Sequence, residues 1–193
     1  MKIHLIRHGK TPASEMGLYC GCTNIPLSDD GANELALRKE QGIYPAADMF
    51  FTSGLLRAGQ TLTILYGNVR RKAMPGLAEY NFGSFEMKSH HELKERADYQ
   101  EWIIDETGEV TCPGGESKLA FEMRVLRGYG ALVSLVRESG NSSALAVCHG
   151  GVITCIMDHF FPGQKNYYEW QPVPGRGYTI IYASDKIDSY IEI

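Results

Sequence analysis

Short apolar runs alternate with longer amphipathic segments along most of this chain. Four runs have the length and the β-branched or aromatic character of buried strands: Lys2 to Ile6, Asp48 to Ser53, Arg70 to Met74 and Ser143 to Cys148. Segments with capping residues and helical spacing follow them, and they predict helices over Ser28 to Gly42, Leu55 to Tyr66, Ser89 to Ile104, Ser117 to Gly140 and Val152 to Phe161. Strands therefore alternate with helices.

This alternation predicts an α/β fold, a three-layer α/β/α sandwich around a mostly parallel sheet. Near the end of the chain, Tyr178 to Tyr182 and Ile187 to Ile193 bracket a turn-forming tetrapeptide and predict a closing antiparallel hairpin. No composition shift marks a linker, so residues 1–193 are expected to form a single domain, with residues 75–115 as an insertion over one end of the sheet.

The longest predicted helix has apolar residues at spacings of three and four. They predict one buried face, made of Leu119, Met123, Leu126, Gly130 and Val133.

Composition narrows the functional classes. The chain has 193 residues, 44% hydrophobic and 22% charged, with a net charge of -4, so no general basic field attracts nucleic acid or a membrane surface. No apolar stretch reaches the length of a membrane span, and the N-terminus lacks a signal-peptide core. The five cysteines are an odd number and suit a reducing cytoplasm. Cys20-Gly-Cys22 has no second cysteine pair, so neither a metal nor another cofactor is expected.

Polar chemistry follows three of the predicted strands. Arg7-His8-Gly9 ends the first strand, Arg57 comes soon after Ser53 at the end of the second, and His149-Gly150-Gly151 ends another. Ligand sites of open α/β sheets lie outside the carboxyl ends of the strands, so these side chains are expected to converge. Arginines bind phosphate oxygens bidentately, one imidazole can attack phosphorus, and the other can donate to an oxygen in the transition state. The set therefore favours phosphoryl transfer.

A leaving alkoxide also needs a proton. Glu79 lies on an irregular segment that could cover the site, and a carboxyl group there can act as general acid and then as general base. Glu86, on the same segment, is the competing candidate.

Five segments together resemble the motifs of the histidine phosphatase superfamily, also called the phosphoglycerate mutase-like family. In chain order, Arg7 to Thr11 resembles R-H-G-x-T, Gly17 to Ser28 resembles G-x-T-D-x-P-L-S, and Ser53 to Thr61 resembles S-x-L-x-R-A-x-Q-T. The segment from Leu77 to Glu86 resembles L-x-E followed by G-x-x-E-G, and Cys148 to Gly151 resembles the second-histidine motif. An ordered set that spans most of the chain is far more specific than R-H-G alone.

The resemblance implies particular roles. His8 would be the phosphorylated nucleophile and Glu79 the proton donor, whereas Arg7, Arg57 and His149 would form the phosphate pocket. The backbone of Gly150 would assist, and Ser14, Cys20 and Gly21 are further candidates for substrate binding. Four residues depart from the family pattern. Lys10 stands where the family often has Glu, Ser14 where it often has Asn, Asn24 where it usually has Asp, and Lys88 where it usually has Gly after the second Glu.

The expected function is a phosphomonoester hydrolase that acts without a metal on a small-molecule phosphate ester. Within the family, the chain looks most like α-ribazole phosphatases and related bacterial phosphatases of broad specificity. Two alternatives remain: a cofactor-dependent phosphoglycerate mutase, and a non-catalytic phosphate-binding module, which would be expected to have lost part of the catalytic set. The oligomeric state is not readable. The aromatic residues Tyr167, Tyr168 and Trp170 either pack on the sheet or line a substrate entrance.

Overall fold

The computed structural model describes all residues, 1–193. Its strands are β1 (Lys2–Arg7), β2 (Met49–Thr52), β3 (Arg71–Ala73), β4 (Ser143–Cys148), β5 (Gly177–Ala183) and β6 (Lys186–Glu192). Its α-helices are α1 (Pro12–Glu15), α2 (Asp29–Glu40), α3 (Leu56–Tyr66), α4 (His90–Leu93), α5 (Ala97–Ile104), α6 (Lys118–Glu138) and α7 (Gly150–Phe160). Short 3₁₀ turns occupy Pro75–Leu77, Gly83–Phe85 and Tyr167–Trp170.

The six strands form one sheet in the order β3-β2-β4-β1-β5-β6. The four strands from β3 to β1 are parallel, and the closing pair β5 and β6 runs antiparallel. Ser184 and Asp185 turn this hairpin, both with positive φ. The predicted α/β fold and the predicted hairpin are confirmed.

The sheet buries both of its faces. Along β1 and β4, alternate residues point to opposite sides, as the strand period of two requires. Leu5 and Ala146 belong to the larger core cluster, to which α6 and α7 contribute, whereas Ile6 and Val147 belong to a smaller cluster with residues of α2 and α3. Helices therefore cover both faces, which gives the predicted three layers.

Helix α6 buries a different face from the predicted one. Leu119 is 40% exposed and Met123 is 49% exposed, although Val133 is buried as expected. The buried stripe consists of Phe121, Val125, Gly128, Tyr129, Leu132, Val133 and Val136. Gly128 packs directly on Gly76, where a methyl group would lie 2.8 Å from backbone atoms, so a close backbone approach fixes the rotation of the helix.

The segment predicted as one helix over Ser89 to Ile104 is two helices, α4 and α5. Ser89 caps α4 through a capping box with Glu92, and α5 begins after Arg96. Helix α5 contributes Trp102 and Ile103 to the wall of the cavity described below, and His90 of α4 lies 2.7 Å from the hydroxyl of Tyr99 on α5. The longest helix, α6, has 21 residues, but no helix combines the length and the apolar character needed to cross a membrane.

Candidate active site

Strand register brings the three polar strand ends together. Arg7 pairs with Cys148 at the ends of β1 and β4, and Ser53, after β2, donates its N–H to the carbonyl of Val147 at 3.2 Å. The rings of His8 and His149 consequently lie 5.1 Å apart, centroid to centroid, in an edge-to-face arrangement. The structure thus brings together the two histidines that the sequence placed at separate strand ends.

His8 is held in one tautomer. Its Nδ1 lies 2.7 Å from the carbonyl oxygen of Gly9, which can only accept, so Nδ1 carries the proton and Nε2 has the lone pair. Burial, then the charges of Arg57 and Arg7, lower the pKa of His8 to about 3, although the bond to Gly9 opposes them. The imidazole is therefore neutral at physiological pH, as a nitrogen nucleophile must be.

Arg57 lies fully buried beside this imidazole. Its Nε donates to Nε2 of His8 at 3.2 Å, while Nη1 donates to the carbonyl of Thr23 at 2.8 Å and Nη2 to that of Gly21 at 2.7 Å. The helix that carries Arg57 is anchored from the same loop, because Asn24 accepts a hydrogen bond from the N–H of Leu56 at 2.7 Å. The loop therefore fixes both the guanidinium and its helix.

His149 is completely buried at the N-terminus of α7. Its Nε2 lies 2.8 Å from the hydroxyl of Ser53, and its Nδ1 has no hydrogen-bond partner in the protein. Burial and the neighbouring His8, Arg57 and Arg7 lower its pKa well below the ordinary value. When His149 is neutral and its Nε2 accepts from the hydroxyl of Ser53, Nδ1 carries the proton. That N–H can then donate to an oxygen atom of a ligand.

Arg7 and Gly150 lie against each other. Arg7 donates from Nη1 to the carbonyl of Pro172 at 2.8 Å, and its buried Nε has no partner. A methyl group on Gly150 would lie 3.2 Å from the guanidinium carbon and 2.5 Å from Nε2 of Gln171. Gly150 thus lets Arg7 and Gln171 approach the start of α7, and no pattern in the sequence indicated Gln171.

Glu79 lines the cavity beside the start of α7, which follows the end of β4. Its two carboxyl oxygens accept from the N–H groups of Tyr80 and Gly151, each at 3.0 Å. Burial raises the pKa of the Glu79 carboxyl, although these two N–H groups and the charges of Arg57 and Arg7 oppose the shift. A protonated carboxyl group at this place can donate to a leaving oxygen.

Arg124 of α6 fixes the segment that carries Glu79. Nη1 donates to the carbonyls of Gly76 and Ala78, and Nη2 donates to that of Glu79 at 3.2 Å and to Glu116 at 2.6 Å. One guanidinium thus satisfies three carbonyl groups of an otherwise irregular backbone.

Glu86, the competing candidate for the acid, is engaged elsewhere. Its carboxylate accepts hydrogen bonds from five donor groups, namely the N–H groups of Gly21, Cys22, Thr23 and Phe82 and the hydroxyl of Thr23. It does not line the cavity, so Glu79 is the carboxyl group that faces the strand ends.

The weaker candidates differ in their placement. Ser14 and Cys20 line the cavity, but the Ser14 hydroxyl also closes a capping box with Thr11. Gly21 lies behind Arg57, where its carbonyl accepts from Nη2. Lys10 pairs with Glu34 on α2 at 3.2 Å and does not line the cavity.

The site opens into a cavity of about 880 Å³. Its inner end is formed by Arg7, His8, Arg57 and Glu79. Its outer walls are aromatic and come from Tyr19, Tyr80, Phe82, Trp102, Phe121, Tyr167 and Tyr168. Tyr167 and Tyr168 line the entrance, whereas Trp170 is fully buried. Both alternatives from the sequence therefore apply, since part of this aromatic cluster lines the entrance and part packs in the core.

The charge of the cavity reverses along its length. Four carboxylates line its outer part, Asp105, Glu106, Glu122 and Asp158, against the single ammonium of Lys118. None of Glu106, Glu122 and Asp158 takes part in an ion pair. The inner end therefore attracts anions and the outer part repels them. No group of three or more His, Cys, Asp and Glu side chains has the arrangement of a metal site.

Comparison with known proteins places this geometry in a family. The model of the histidine phosphatase superfamily (branch 1) matches residues 3–186, which is nearly the whole chain. The chain belongs to the histidine phosphatase superfamily. It is similar to the adenosylcobalamin/alpha-ribazole phosphatase of Salmonella typhimurium, with 31% identity over 161 residues that cover 81% of this chain and 78% of that protein.

Solved structures agree with this assignment. The alpha-ribazole phosphatase from Shigella flexneri superimposes with a TM-score of 0.81 at 26% identity, over 97% of this chain and 93% of that chain. The phosphoglycerate mutase from Thermus thermophilus gives a TM-score of 0.75 at 27% identity, over 100% and 99% of the two chains. The chain is a histidine phosphatase, which hydrolyses phosphate esters, and the expected fold class and activity are confirmed.

Proposed function

We propose that this histidine phosphatase works through a phosphohistidine at His8. The observation that carries the proposal is the tautomer of His8, whose Nε2 lone pair lies next to a buried guanidinium. Nε2 attacks phosphorus, the ester P–O bond breaks, and the phosphoryl group stays on His8. Arg57, Arg7 and Nδ1 of His149 hold the three non-bridging oxygens, which gives the unpartnered nitrogens of Arg7 and His149 an acceptor.

Glu79 supplies and then recovers one proton. In the first step its protonated carboxyl group donates to the leaving oxygen, and in the second the carboxylate takes a proton from the water that attacks the phosphohistidine. That attack releases inorganic phosphate and restores both His8 and Glu79. Over one cycle Glu79 loses a proton to the alcohol and regains one from water, and Nε2 of His8 regains its lone pair when phosphate leaves, so the hydrolysis balances without a redox cofactor.

The cavity supports a substrate whose alcohol carries a planar group without negative charge. Its volume is in the range of pockets that bury a drug-sized ligand, its outer walls are aromatic, and its outer carboxylates disfavour a second anion. The names of the similar phosphatases support α-ribazole 5'-phosphate, an ester with a neutral aromatic base, as the substrate to test first.

A phosphoglycerate mutase is the alternative, and the Thermus structure favours testing it. Its substrates carry a carboxylate or a second phosphate, which the outer carboxylates would repel. A coupled assay with 3-phosphoglycerate and catalytic 2,3-bisphosphoglycerate decides between the two, and mutase turnover faster than hydrolysis of α-ribazole 5'-phosphate would overturn the proposal.

We also propose a single domain and a cytoplasmic location. Residues 1–193 form one domain in which 75–115 is the insertion, supported by the contribution of that segment to the cavity wall. The protein works in a reducing cytoplasm, which its five free thiols support, and binds neither nucleic acid nor membrane.

Activity of His8→Ala tests the proposal directly, with 4-nitrophenyl phosphate and α-ribazole 5'-phosphate as substrates. We expect turnover to be lost, whereas the matched control His91→Ala, at an exposed histidine outside the cavity, retains it. Robust turnover by His8→Ala would refute the nucleophile. Equal turnover of 4-nitrophenyl and 4-carboxyphenyl phosphate would refute the charge selection by the cavity while leaving the nucleophile intact.

A further inference from the structure

Arg57 is a fully buried cation that forms no ion pair with a carboxylate. A buried charge is costly unless other groups compensate it. Its guanidinium instead donates to backbone carbonyls of the loop formed by residues 20–23, which we call the Arg57 loop. These carbonyls carry only partial negative charge, so they need a further group that stabilises them beside the guanidinium.

The opposite side of the same peptide groups contacts Glu86. In the peptide between Gly21 and Cys22, the C=O accepts from Nη2 of Arg57 at 2.7 Å and the N–H donates to Oε1 of Glu86 at 2.9 Å. In the preceding peptide, the carbonyl of Cys20 lies 3.5 Å from Nη2 and the N–H of Gly21 donates to Glu86 at 3.1 Å. Two consecutive peptide groups are therefore oriented between a carboxylate and a guanidinium.

Such an arrangement is favourable for both charges. A peptide dipole has its positive end at N–H and its negative end at C=O, so each of the two dipoles points the correct way for Glu86 and for Arg57 at once. Hydrogen bonds in a chain also polarise one another, which strengthens each of them in a buried setting. Glu86 thus acts as the counter-charge of Arg57 through the backbone.

The local sequence leaves little freedom in this arrangement. A methyl group on Gly21 would overlap the carbonyl oxygen of Tyr80 and would lie 2.7 Å from Oε1 of Glu86, so only glycine fits. The hydroxyl of Thr23 adds a further bond to Glu86 at 2.6 Å, and the carbonyl of Thr23 accepts from Nη1 of Arg57.

We propose that Glu86 is a positioning residue, which holds the Arg57 loop so that the Arg57 guanidinium faces His8 and the phosphoryl group. The inference rests on the proposed function only in that Arg57 binds the phosphoryl oxygens. Glu86 itself touches neither the substrate nor His8. Its loss should weaken the binding of a phosphate-like anion by displacing Arg57.

A double-mutant cycle read out by calorimetric binding of tungstate tests this proposal. We expect Glu86→Gln to weaken tungstate binding about 10-fold in the native background but less than about 2-fold in Arg57→Met, because members of one hydrogen-bond network couple and independent residues do not. Glu101→Gln, at an exposed residue of α5 outside the cavity, is the matched control and should bind as the native protein does. An equal loss in both backgrounds, or unchanged binding with only a lower melting temperature, would overturn the proposal.

A milder variant keeps the test decisive if Glu86→Gln does not fold. Thr23→Val removes one of the donors to Glu86 while the N–H donors remain. It should weaken tungstate binding about 3-fold, less than the full loss of Glu86, and leave the circular dichroism spectrum unchanged. Unchanged binding by this folded variant would contradict the role of Glu86. Tungstate binding does not require turnover, so failure of the proposed phosphatase mechanism would be recognised separately, as an inactive native enzyme that still shows this coupling.

Discussion

Nε of Arg57 lies 3.2 Å from Nε2 of His8, on the side of the imidazole that carries the lone pair. Burial and, after it, the charge of this guanidinium lower the pKa of His8 and keep the imidazole neutral. The guanidinium also lies next to the place where a phosphoryl group must bind. Its planar fork is anchored by two loop carbonyls, so its position is set before any ligand arrives.

Replacing this arginine by lysine should separate charge from geometry. Arg57→Lys retains a cation but loses the fork, so we expect kcat/KM for 4-nitrophenyl phosphate to fall about 10²- to 10³-fold, the cost of removing one oriented transition-state donor. Steady-state kinetics measure it, and Arg127→Lys on the exposed side of α6 serves as the control. A decrease in kcat/KM of less than about 3-fold would mean that a positive charge alone is sufficient and that the planar guanidinium is not required.

Glu79→Gln should affect esters according to their leaving groups. An alkyl phosphate needs protonation of its leaving oxygen, and we expect its kcat to fall about 10²- to 10⁴-fold, whereas 4-nitrophenyl phosphate should lose much less in the P–O cleavage step. The pKa of Glu79 is raised by burial, so native kcat/KM for the alkyl ester should decline as pH rises through that pKa. This alkaline limb should be absent from Glu79→Gln. If kcat fell equally for both esters and the alkaline decline of kcat/KM remained, another group would be the one that protonates the leaving oxygen.

Gly151 leaves room for the carboxyl group of Glu79. A methyl group there would lie 2.6 Å from Oε1 of Glu79, so Gly151→Ala should displace the carboxyl and lower kcat for alkyl phosphates about 10-fold or more. Gly130→Ala is the matched control, since nothing lies within 4 Å of its added methyl group and alanine stabilises a helix interior by about 1 kcal/mol. Full activity of Gly151→Ala would show that the space beside Gly151 is not needed to place the Glu79 carboxyl group.

His4 should make stability depend on pH. It is buried beside Thr179, and burial, then the charge of Lys2, lowers its pKa from 6.5 to about 4. Between these values the unfolded chain binds more protons than the native one, so the free energy of unfolding falls as pH falls, by up to about 1.4 kcal/mol per pH unit for this group. His4→Gln should reduce this slope in urea denaturation between pH 6.5 and 4, and His91→Gln should not. Identical slopes for His4→Gln and the native protein would refute the shifted pKa.

The polar strand ends were predictable because a parallel sheet brings its carboxyl ends to one edge. Arg7, His8, Arg57, Glu79 and His149 were all named from the sequence. The structure brings the first four to one cavity and packs the buried His149 against His8 and Ser53. The alternation of strands and helices likewise predicted the layers correctly.

Other features depended on contacts that no local pattern encodes. The rotation of α6 is set by the approach of Gly128 to Gly76, which overrides the apparent stripe through Leu119 and Met123. The place of Glu86 depends on N–H groups of a distant loop, and side-chain spacing carries no information about them.

Trapping the covalent intermediate tests the central claim most directly. Enzyme mixed with a labelled phosphate ester and quenched within one turnover should carry phosphate that is stable in alkali and labile in acid, on the peptide that contains His8. The amount should increase in Glu79→Gln with 4-nitrophenyl phosphate, because that variant lacks the base that activates water in the second step. Phosphate on another residue, or turnover with no protein-bound phosphate in either form of the enzyme, would contradict the account.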